Sequence, residues 1–368
     1  MSYPSRYSAW RRSQGTMGSH ANPLTINLHN NEELPKDLAS HDVVIKIHAV
    51  SLNRRDFTML NGEYPVPLES GGVPCSDAAG EVVATGNAVS QFSVGDRVVP
   101  IPPIGDHYPD NGGWNWNIGV QEPGMLREYA ICQERDLFPL PDNLSWEEAS
   151  TKAYMCLTFG ATLACAGLTA WTALDCMKTM PKDGVVLLQG TGGISMIALM
   201  LCLGAGVQPI ITSSSDEKLE TIRKISPRIL GINYKTTHDQ VAEVKRLTNG
   251  RGVDYVLNNT GILSVIDDIE MLRERDGTVS LVGVLGGFEA VWKHSELIKL
   301  MTKRAKLKGV VLGTKAEFRD MVQFIADKNV SLTLATDERS FAFKDAKDAY
   351  DLLESNNFCG KIVIKVAE

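Results

Sequence analysis

The 368-residue chain lacks most of the features that mark specialised protein classes. Its seven cysteines are an odd number, scattered and with no Cys-x-x-Cys pair, which predicts reduced, mostly buried thiols in a reducing compartment. It contains no uninterrupted run of about 20 apolar residues, as a membrane span would require. It also has no long run of Lys and Arg, and its formal net charge is −7. These absences argue against a nucleic-acid or anionic-membrane surface and predict a soluble globular protein.

The segment 184–212 contains no charged residue, and its pattern is the most informative of the chain. Val185–Leu188 is an apolar run of the length of a buried strand, and the glycine-rich loop 190–193 follows it. Such glycines permit a tight turn that a phosphate can approach, and a helix beginning near Ser195 directs its N-terminal amides at a pyrophosphate. The pattern predicts a dinucleotide-binding βαβ unit. The alternative is a buried turn that binds nothing.

The end of the next strand lacks the Asp or Glu that usually holds the ribose 2′-hydroxyl of NAD. Ser213, Ser214 and Ser215 stand there instead, and Lys218 follows one helical turn later. Small hydroxyls leave room for a 2′-phosphate, and a lysine can form a charge-assisted contact with it. Tyr234, at the end of the predicted third strand, can close the other side of this pocket. The pattern favours NADPH over NADH; the alternative is that these residues only cap and solvate a helix.

Hydrophobic periodicity predicts a β-rich first region, with strands at Val43–Val50, Gly80–Thr85 and Arg97–Ile101. Ser145 and Glu148 form a capping-box pattern that predicts a helix near Trp146. From about residue 168, helices alternate with apolar strands, which predicts a doubly wound parallel sheet of six strands. These six are Val185–Leu188, Pro209–Thr212, Gly231–Tyr234, Tyr255–Asn258, Val279–Val284 and Gly309–Leu312. A helix around Phe318–Ala326 follows, and the final strand, Lys361–Val366, is expected to return to the first region.

Residues 1–31 contain several arginines, five serines and no acidic residue, a composition that resembles a transit peptide. Pro4, Gly15 and Gly18 would interrupt the amphipathic helix of such a peptide. The alternation of apolar residues at 24, 26 and 28 predicts a first strand instead. We therefore expect a cytoplasmic protein, with mitochondrial import as the alternative.

Motifs along nearly the whole chain resemble, in the same order, those of the medium-chain dehydrogenase/reductase superfamily. The resemblance is greatest to its zinc-independent, quinone-oxidoreductase-like branch, particularly fungal members. The motifs are AVSLNRRDF (49–57), GVPCSDAAGEVVATG (72–86), VGDRV (94–98), GLTAWTAL (167–174), LLQGTGGIS (187–195) and GKIVI (360–364). The resemblance implies an α/β protein with a GroES-like, β-rich catalytic domain at 1–165 and 314–368 and a Rossmann NADP-binding domain at 166–313. It also implies a homodimer.

Many members of this superfamily carry a catalytic zinc, which needs three protein ligands. At the first ligand position this sequence has Asn53. At the second, where the family has Gly-His-Glu, it has Cys75-Ser76-Asp77, so Ser76 replaces the histidine. Cys165 lies near the third ligand position. The structural zinc loop would lie between residues 99 and 129, where the sequence contains no cysteine. One remaining thiol cannot hold zinc, so we expect no bound metal.

In a site without zinc, hydrogen bonds must polarise the substrate carbonyl, which suits conjugate reduction of an enone or quinone by NADPH. The resemblance makes Asn53 the candidate donor to the developing enolate oxygen. The alternative is a loop amide that caps neighbouring backbone groups. Tyr64 is a candidate proton donor or pocket residue, or an aromatic side chain that only packs. Asp56 is interpreted as structural, and the long loop 100–123 is expected to shape the pocket.

The remaining cofactor-binding candidates lie in the glycine loop or match family positions near the nicotinamide or ribose. They are Thr169, Thr191, Gly192, Gly193, Ile194, Ser195, Asn259, Val284 and Lys361. The expected partner is a small apolar or conjugated carbonyl substrate, not a nucleic acid or a membrane. Two other functions stay open: a metal-free carbonyl reductase or alcohol dehydrogenase, and a non-catalytic dinucleotide-binding scaffold.

Overall fold

The computed structural model describes residues 3–101, 118–140 and 159–367. The chain divides into two compact units, the first comprising Met1–Cys165 with Thr336–Glu368 and the second Ala166–Ala335. The first unit is therefore interrupted in sequence by the second. The predicted helix near Trp146 and most of the predicted loop 100–123 lie outside the described residues.

The elements are numbered in chain order. The strands are β1 (Arg6–Arg12), β2 (Ile26–Glu33), β3 (Asp42–Ser51), β4 (Asp77–Thr85), β5 (Arg97–Pro100), β6 (Tyr129–Gln133), β7 (Leu137–Pro139), β8 (Val185–Leu188), β9 (Gln208–Ser213), β10 (Leu230–Asn233), β11 (Tyr255–Asn258), β12 (Thr278–Leu281), β13 (Lys306–Gly309), β14 (Thr336–Ala342) and β15 (Lys361–Lys365). The helices are α1 (Arg54–Asn61), α2 (Leu168–Ala173), α3 (Gly193–Ala205), α4 (Asp216–Arg223), α5 (Gln240–Leu247), α6 (Val265–Met271), α7 (Ile298–Thr302), α8 (Lys315–Asp327) and α9 (Ala346–Ser355).

The first unit is built around β3, whose apolar side chains lie in the core of that unit. β3 pairs antiparallel with β4, β6 and β15 within a seven-stranded sheet. The final strand therefore returns to the first sheet, as the sequence predicts. The pairing of Val363 with Ser51, and a hydrogen bond of 3.0 Å from the Leu52 N–H to the Ile362 carbonyl, bring the end of the chain beside the start of α1.

The second unit contains a six-stranded parallel sheet with the order β10-β9-β8-β11-β12-β13, which confirms the predicted doubly wound sheet. The prediction of the last strand was wrong, because Lys306–Gly309 pairs with β12 and Gly309–Leu312 does not form the strand. An edge strand is exposed, so it does not need the continuous apolar run by which the inner strands were found. Similarly, β12 ends at Leu281 rather than at Val284.

Residues 314–335 belong to the second unit, although the sequence had assigned them to the first. The reason is the apolar face of α8. Phe318 is fully buried, and the Phe324 ring lies with its centroid 5.0 Å from that of Trp171. The change from the second unit back to the first therefore comes after α8, at Thr336.

The sequence is compatible with either a transit peptide or a folded segment at the N-terminal arginines. In the structure these arginines belong to strand β1. This strand pairs antiparallel with β2 and was not predicted. Arg12 is 2% exposed, and its guanidinium donates to the carbonyl of Gly119 at 2.7 Å. Within the described ranges, no helix has the length and apolarity needed to cross a membrane.

Candidate active site

The glycine loop after β8 has the backbone that a dinucleotide phosphate requires. Gly190 has a φ of +77°, in the left-handed region that favours glycine. A Cβ added to Gly190 or to Gly192 would meet no atom within 4 Å, so the space over the loop is open. Helix α3 begins directly after Gly192 and directs its first N–H groups toward this space. The residues present therefore fit a bound dinucleotide.

The buried side chains of the loop stabilise its shape. Ser195 is fully buried, donates from its hydroxyl to the Gln189 carbonyl at 2.8 Å, and accepts from the Asn259 amide at 2.9 Å. The Gly190 N–H donates to the hydroxyl of Thr212 at 3.0 Å. Two of the predicted cofactor residues, Ser195 and Asn259, thus hold the loop itself in place.

A buried network behind the loop was not predicted from the sequence. The carboxylate of Asp268 accepts from the side-chain amides of Gln189 at 2.8 Å and Asn258 at 2.5 Å, and from the Ser264 hydroxyl at 3.0 Å. Burial raises the pKa of Asp268 to about 7, although all three hydrogen bonds act in the opposite direction. The network joins the ends of β8 and β11, where the phosphate-binding loop begins.

Two of the residues predicted to read the 2′-phosphate, Ser213 and Tyr234, come together at the ends of β9 and β10. Asn233 is the register partner of Ser213, and the Tyr234 N–H donates to the Ser213 carbonyl at 3.0 Å. Ser214 follows β9 and Lys218 lies in the first turn of α4; both are half-buried, and Tyr234 is 44% exposed. Ser215 caps α4 by accepting from the Lys218 N–H at 3.2 Å, so the capping role considered for it is observed.

Three other predicted residues lie in different parts of the fold. Thr169 is buried in α2, while Val284 is 50% exposed in the loop that follows β12. Tyr64 lies in the first unit, where it packs against the apolar cluster that includes Met59 and Leu68. This contact is the packing role that the sequence left open for Tyr64.

Asn53 stands at the start of α1, and its amide is held on one side only. The oxygen Oδ1 accepts from the Lys361 ammonium at 2.6 Å, whereas the nitrogen Nδ2 is buried and has no hydrogen-bond partner among the described residues. Because an ammonium can only donate, the oxygen must face Lys361, and Nδ2 must be the free donor. A buried donor without a partner costs about 1–3 kcal/mol, and a bound acceptor would remove this cost.

The Lys361 ammonium also binds two other acceptors of the first unit, the Leu52 carbonyl at 2.8 Å and the Asp77 carboxylate at 3.4 Å. Lys361 is 2% exposed and Asp77 is 1% exposed, so this is a buried ion pair. The Ser76 hydroxyl donates to the other Asp77 oxygen at 2.9 Å. The structure thus places Lys361, predicted as a cofactor residue, in contact with Asn53.

Around this ion pair lie further buried polar groups of the first unit. Asp56 is 1% exposed and accepts from the Asn53 N–H at 2.8 Å, as expected of a structural residue, and burial raises its pKa. Burial also raises the pKa of the Cys75 thiol, which lies 3.4 Å from the Tyr350 hydroxyl, and raises that of Cys165 to about 12. Both thiols are therefore protonated at neutral pH.

The donor set at the zinc positions does not fit the metal. The oxygen of Asn53 is bound to an ammonium, the Ser76 hydroxyl is bound to Asp77, and Asp77 already pairs with Lys361. A zinc ion at this place would lie against a buried positive charge. Among the residues that the structure describes, no cluster of three or more His, Cys, Asp or Glu side chains is arranged to hold a metal ion.

Two family models match the chain: the alcohol dehydrogenase GroES-like domain at residues 39–142 and the zinc-binding dehydrogenase at 193–327. A Schizosaccharomyces pombe protein described as zinc-type alcohol dehydrogenase-like is 33% identical, and the match covers 91% of this chain and 93% of that protein.

Solved structures resemble the chain over nearly its whole length. A Sinorhizobium meliloti protein, provisionally described as an alcohol dehydrogenase, is 28% identical with a TM-score of 0.81, and the match covers 97% of this chain and 99% of that one. The Escherichia coli quinone oxidoreductase, solved with NADPH, is 20% identical with a TM-score of 0.75, and the match covers 98% and 100%. The second likeness concerns the fold alone.

Proposed function

This chain belongs to the medium-chain dehydrogenase/reductase superfamily, and we propose that it is an NADPH-dependent, zinc-independent reductase of activated C=C bonds in enones or quinones. The observation that carries the proposal is the buried, unpartnered Nδ2 of Asn53. A donor fixed in this way can bind a substrate oxygen on which negative charge develops. The unsuitable donor set for zinc supports hydrogen-bond catalysis over Lewis-acid catalysis.

NADPH, when bound, would supply the hydride for the β carbon of the conjugated carbonyl. Asn53 donates from Nδ2 to the carbonyl oxygen, and this bond becomes stronger as the oxygen gains negative charge. The Asp56 carboxylate, which accepts from the Asn53 N–H, fixes the backbone from which the amide projects. A proton taken from solvent, at the α carbon of an enone or at the oxygen of a quinone, would then complete the reduction.

The proposal is tested by following NADPH oxidation with a panel of enones, quinones and aldehydes, with and without a chelator. We expect turnover of enones or quinones at the same rate with and without the chelator. We also expect elemental analysis to find no stoichiometric zinc. One zinc per chain, with activity lost to the chelator and restored by metal, would contradict the metal-free site. Turnover of aldehydes alone would indicate a carbonyl reductase, and NADPH binding without any turnover would indicate a scaffold.

The choice of NADPH is supported by the side chains at the end of β9. No carboxylate follows directly there, where NAD enzymes usually hold the ribose 2′-hydroxyl, and the nearest acid, Asp216, is exposed in the first turn of α4. The hydroxyl of Ser214 and the ammonium of Lys218 belong to the same turn of chain and suit a 2′-phosphate.

Replacing Lys218 with Ala is expected to raise the KM for NADPH about tenfold, on the order of 1.4 kcal/mol for one charge-assisted contact, with little change for NADH. Lys224→Ala is the matched control. It removes the same charge from the opposite end of α4, where the side chain is exposed. Steady-state kinetics with both cofactors would contradict the assignment if Lys218→Ala weakened NADPH and NADH equally.

A further inference from the structure

We propose that Lys361 is a positioning residue for the reduction, whose ammonium orients and polarises the Asn53 amide that binds the substrate oxygen. This inference rests on the proposed function, because it assumes that Asn53 is the donor. It replaces the cofactor contact predicted for Lys361 with a role within the first unit. In a site without a metal, a buried ammonium provides a positive charge near the developing oxyanion, as a metal ion does in other enzymes.

The geometry leaves the ammonium little capacity for another partner. Its three N–H groups have three protein acceptors: the Leu52 carbonyl, the Asn53 oxygen and the Asp77 carboxylate, at 2.8, 2.6 and 3.4 Å. The side chain is 2% exposed, so water does not screen its charge. The shortest of the three bonds is the one that Lys361 donates to Asn53, although the two residues are 308 positions apart in the sequence.

The bond to Asn53 has two consequences for catalysis. First, it fixes the flip of the amide, because an ammonium cannot accept a hydrogen bond and Nδ2 must therefore point away from it. Second, a positive charge at Oδ1 withdraws electron density from the amide and makes its N–H groups stronger donors. Lys361 thus acts on the substrate oxygen through Asn53 without contacting it.

The start of α1 does not require this bond. The Asp56 N–H donates to the Asn53 backbone carbonyl at 2.9 Å, and the Asp56 carboxylate accepts from the Asn53 N–H at 2.8 Å. The helix is therefore begun by backbone and carboxylate contacts. The Asn53 side chain also takes part in the capping box with Asp56, and the bond from Lys361 fixes its oxygen in addition.

A single substitution of Lys361 would mix two effects, because it would leave the buried Asp77 carboxylate without its counter-charge. Replacing Lys361 in the Asp77→Asn background removes this problem, since the double variants bury neither charge. The introduced amide can donate to the Ser76 hydroxyl, so it fits the place of the carboxylate. Asp77→Asn alone leaves the buried Lys361 ammonium without its counter-charge, so the double variants are compared with the unmodified protein as well as with Asp77→Asn.

The experiment compares the unmodified protein and Asp77→Asn with the double variants K361M/D77N and K361Q/D77N. The readouts are single-turnover hydride transfer from deuterated NADPH, the NADPH dissociation constant and the melting temperature. We expect K361M/D77N to transfer hydride about 10- to 100-fold more slowly than Asp77→Asn, with NADPH affinity within about twofold. K361Q/D77N retains an N–H for Asn53 but no charge, so we expect an intermediate rate. It also serves as the folded variant if the methionine variant does not fold.

A further readout separates positioning from stability. Hydride addition to a simple enone leaves a more basic oxygen than addition to a quinone, so loss of the polarised donor should slow the enone more. Equal hydride-transfer rates in the unmodified protein, Asp77→Asn and both double variants would show that Lys361 is only an ion-pair partner. A large loss of NADPH affinity at an unchanged rate would restore the predicted cofactor role. If Asp77→Asn and the unmodified protein both fail to reduce any enone or quinone, the proposed function itself fails.

Discussion

Asn53→Ala is expected to lower the rate of hydride transfer about 100-fold, because one fixed donor to a developing oxyanion typically contributes that much. The reason lies in the amide, whose Nδ2 is buried and unpartnered while Lys361 holds its oxygen. NADPH affinity is expected to change little, whereas the melting temperature is expected to fall, since the buried Lys361 ammonium loses one of its three acceptors. Single-turnover transfer from deuterated NADPH, beside thermal melts, measures these effects separately.

Two further substitutions make this experiment specific. Asn53→Asp keeps the shape of the side chain and the bond to Lys361 but offers no donor, so its rate should be at least as low as that of Asn53→Ala. Asn61→Ala, at the other end of α1, removes a buried amide whose oxygen accepts from the Glu63 N–H at 3.2 Å. It tests whether a weakened helix alone reduces the rate. A normal rate in Asn53→Asp would show that the amide is structural.

Asp268→Asn is expected to destabilise the second unit by about 2 to 3 kcal/mol. The new side-chain amide must turn its NH₂ group toward the NH₂ group of either Gln189 or Asn258, where the carboxylate now accepts hydrogen bonds. Neither neighbour can rotate to accept. The oxygen of Asn258 is held by the Gly261 N–H at 2.6 Å, and that of Gln189 by the N–H groups of Asn259 and Thr260 at 3.1 and 3.0 Å. We also expect weaker NADPH binding, since the network supports the glycine loop.

The effect should depend on pH in a defined direction. The folded-state pKa of Asp268, raised to about 7, lies above the ordinary value of 3.8, so its neutral form favours the folded state and this stabilisation is lost as the pH rises toward 7. Between about pH 6 and pH 8 the free energy of unfolding of the unmodified protein should fall by about 1 kcal/mol more than that of Asp268→Asn.

Denaturant unfolding of both proteins at the two pH values measures this difference. Asp267→Asn is the control, since Asp267 is the exposed neighbour of Asp268 in α6 and its replacement removes the same charge. A destabilisation by Asp268→Asn that is no larger than that of Asp267→Asn would contradict the network.

The sequence predicted the features that local pattern determines. Val185–Leu188 and Tyr255–Asn258 are strands with the predicted bounds, because strands buried on both faces are continuous apolar runs between turns. The glycine loop was found for a similar reason, since Gly190 has a backbone conformation that few other residues adopt. By contrast, β13 lies at a sheet edge, where lysines replace the apolar run.

The polar contacts of the candidate site could not be predicted, because they join residues that are distant in sequence. Lys361 bonds to Asn53 across 308 positions, and Gln189 to Asp268 across 79. The hydrophobic periodicity of a local segment gives no indication of such a pair. The motif that contains Lys361 suggested a functional residue, but only the pairing of β15 with β3 shows which group its ammonium binds.

The interrupted first unit also affects how the protein must be made. The second unit is one continuous stretch, so it can fold as a unit while the chain is still being synthesised. The sheet of the first unit needs β15, which follows the whole second unit in the sequence, and contacts of such large sequence separation form slowly. Until then, β3 lacks one of its neighbours and Asn53 lacks its ammonium. A nascent or truncated chain could therefore hold a folded dinucleotide-binding unit before it holds the complete donor.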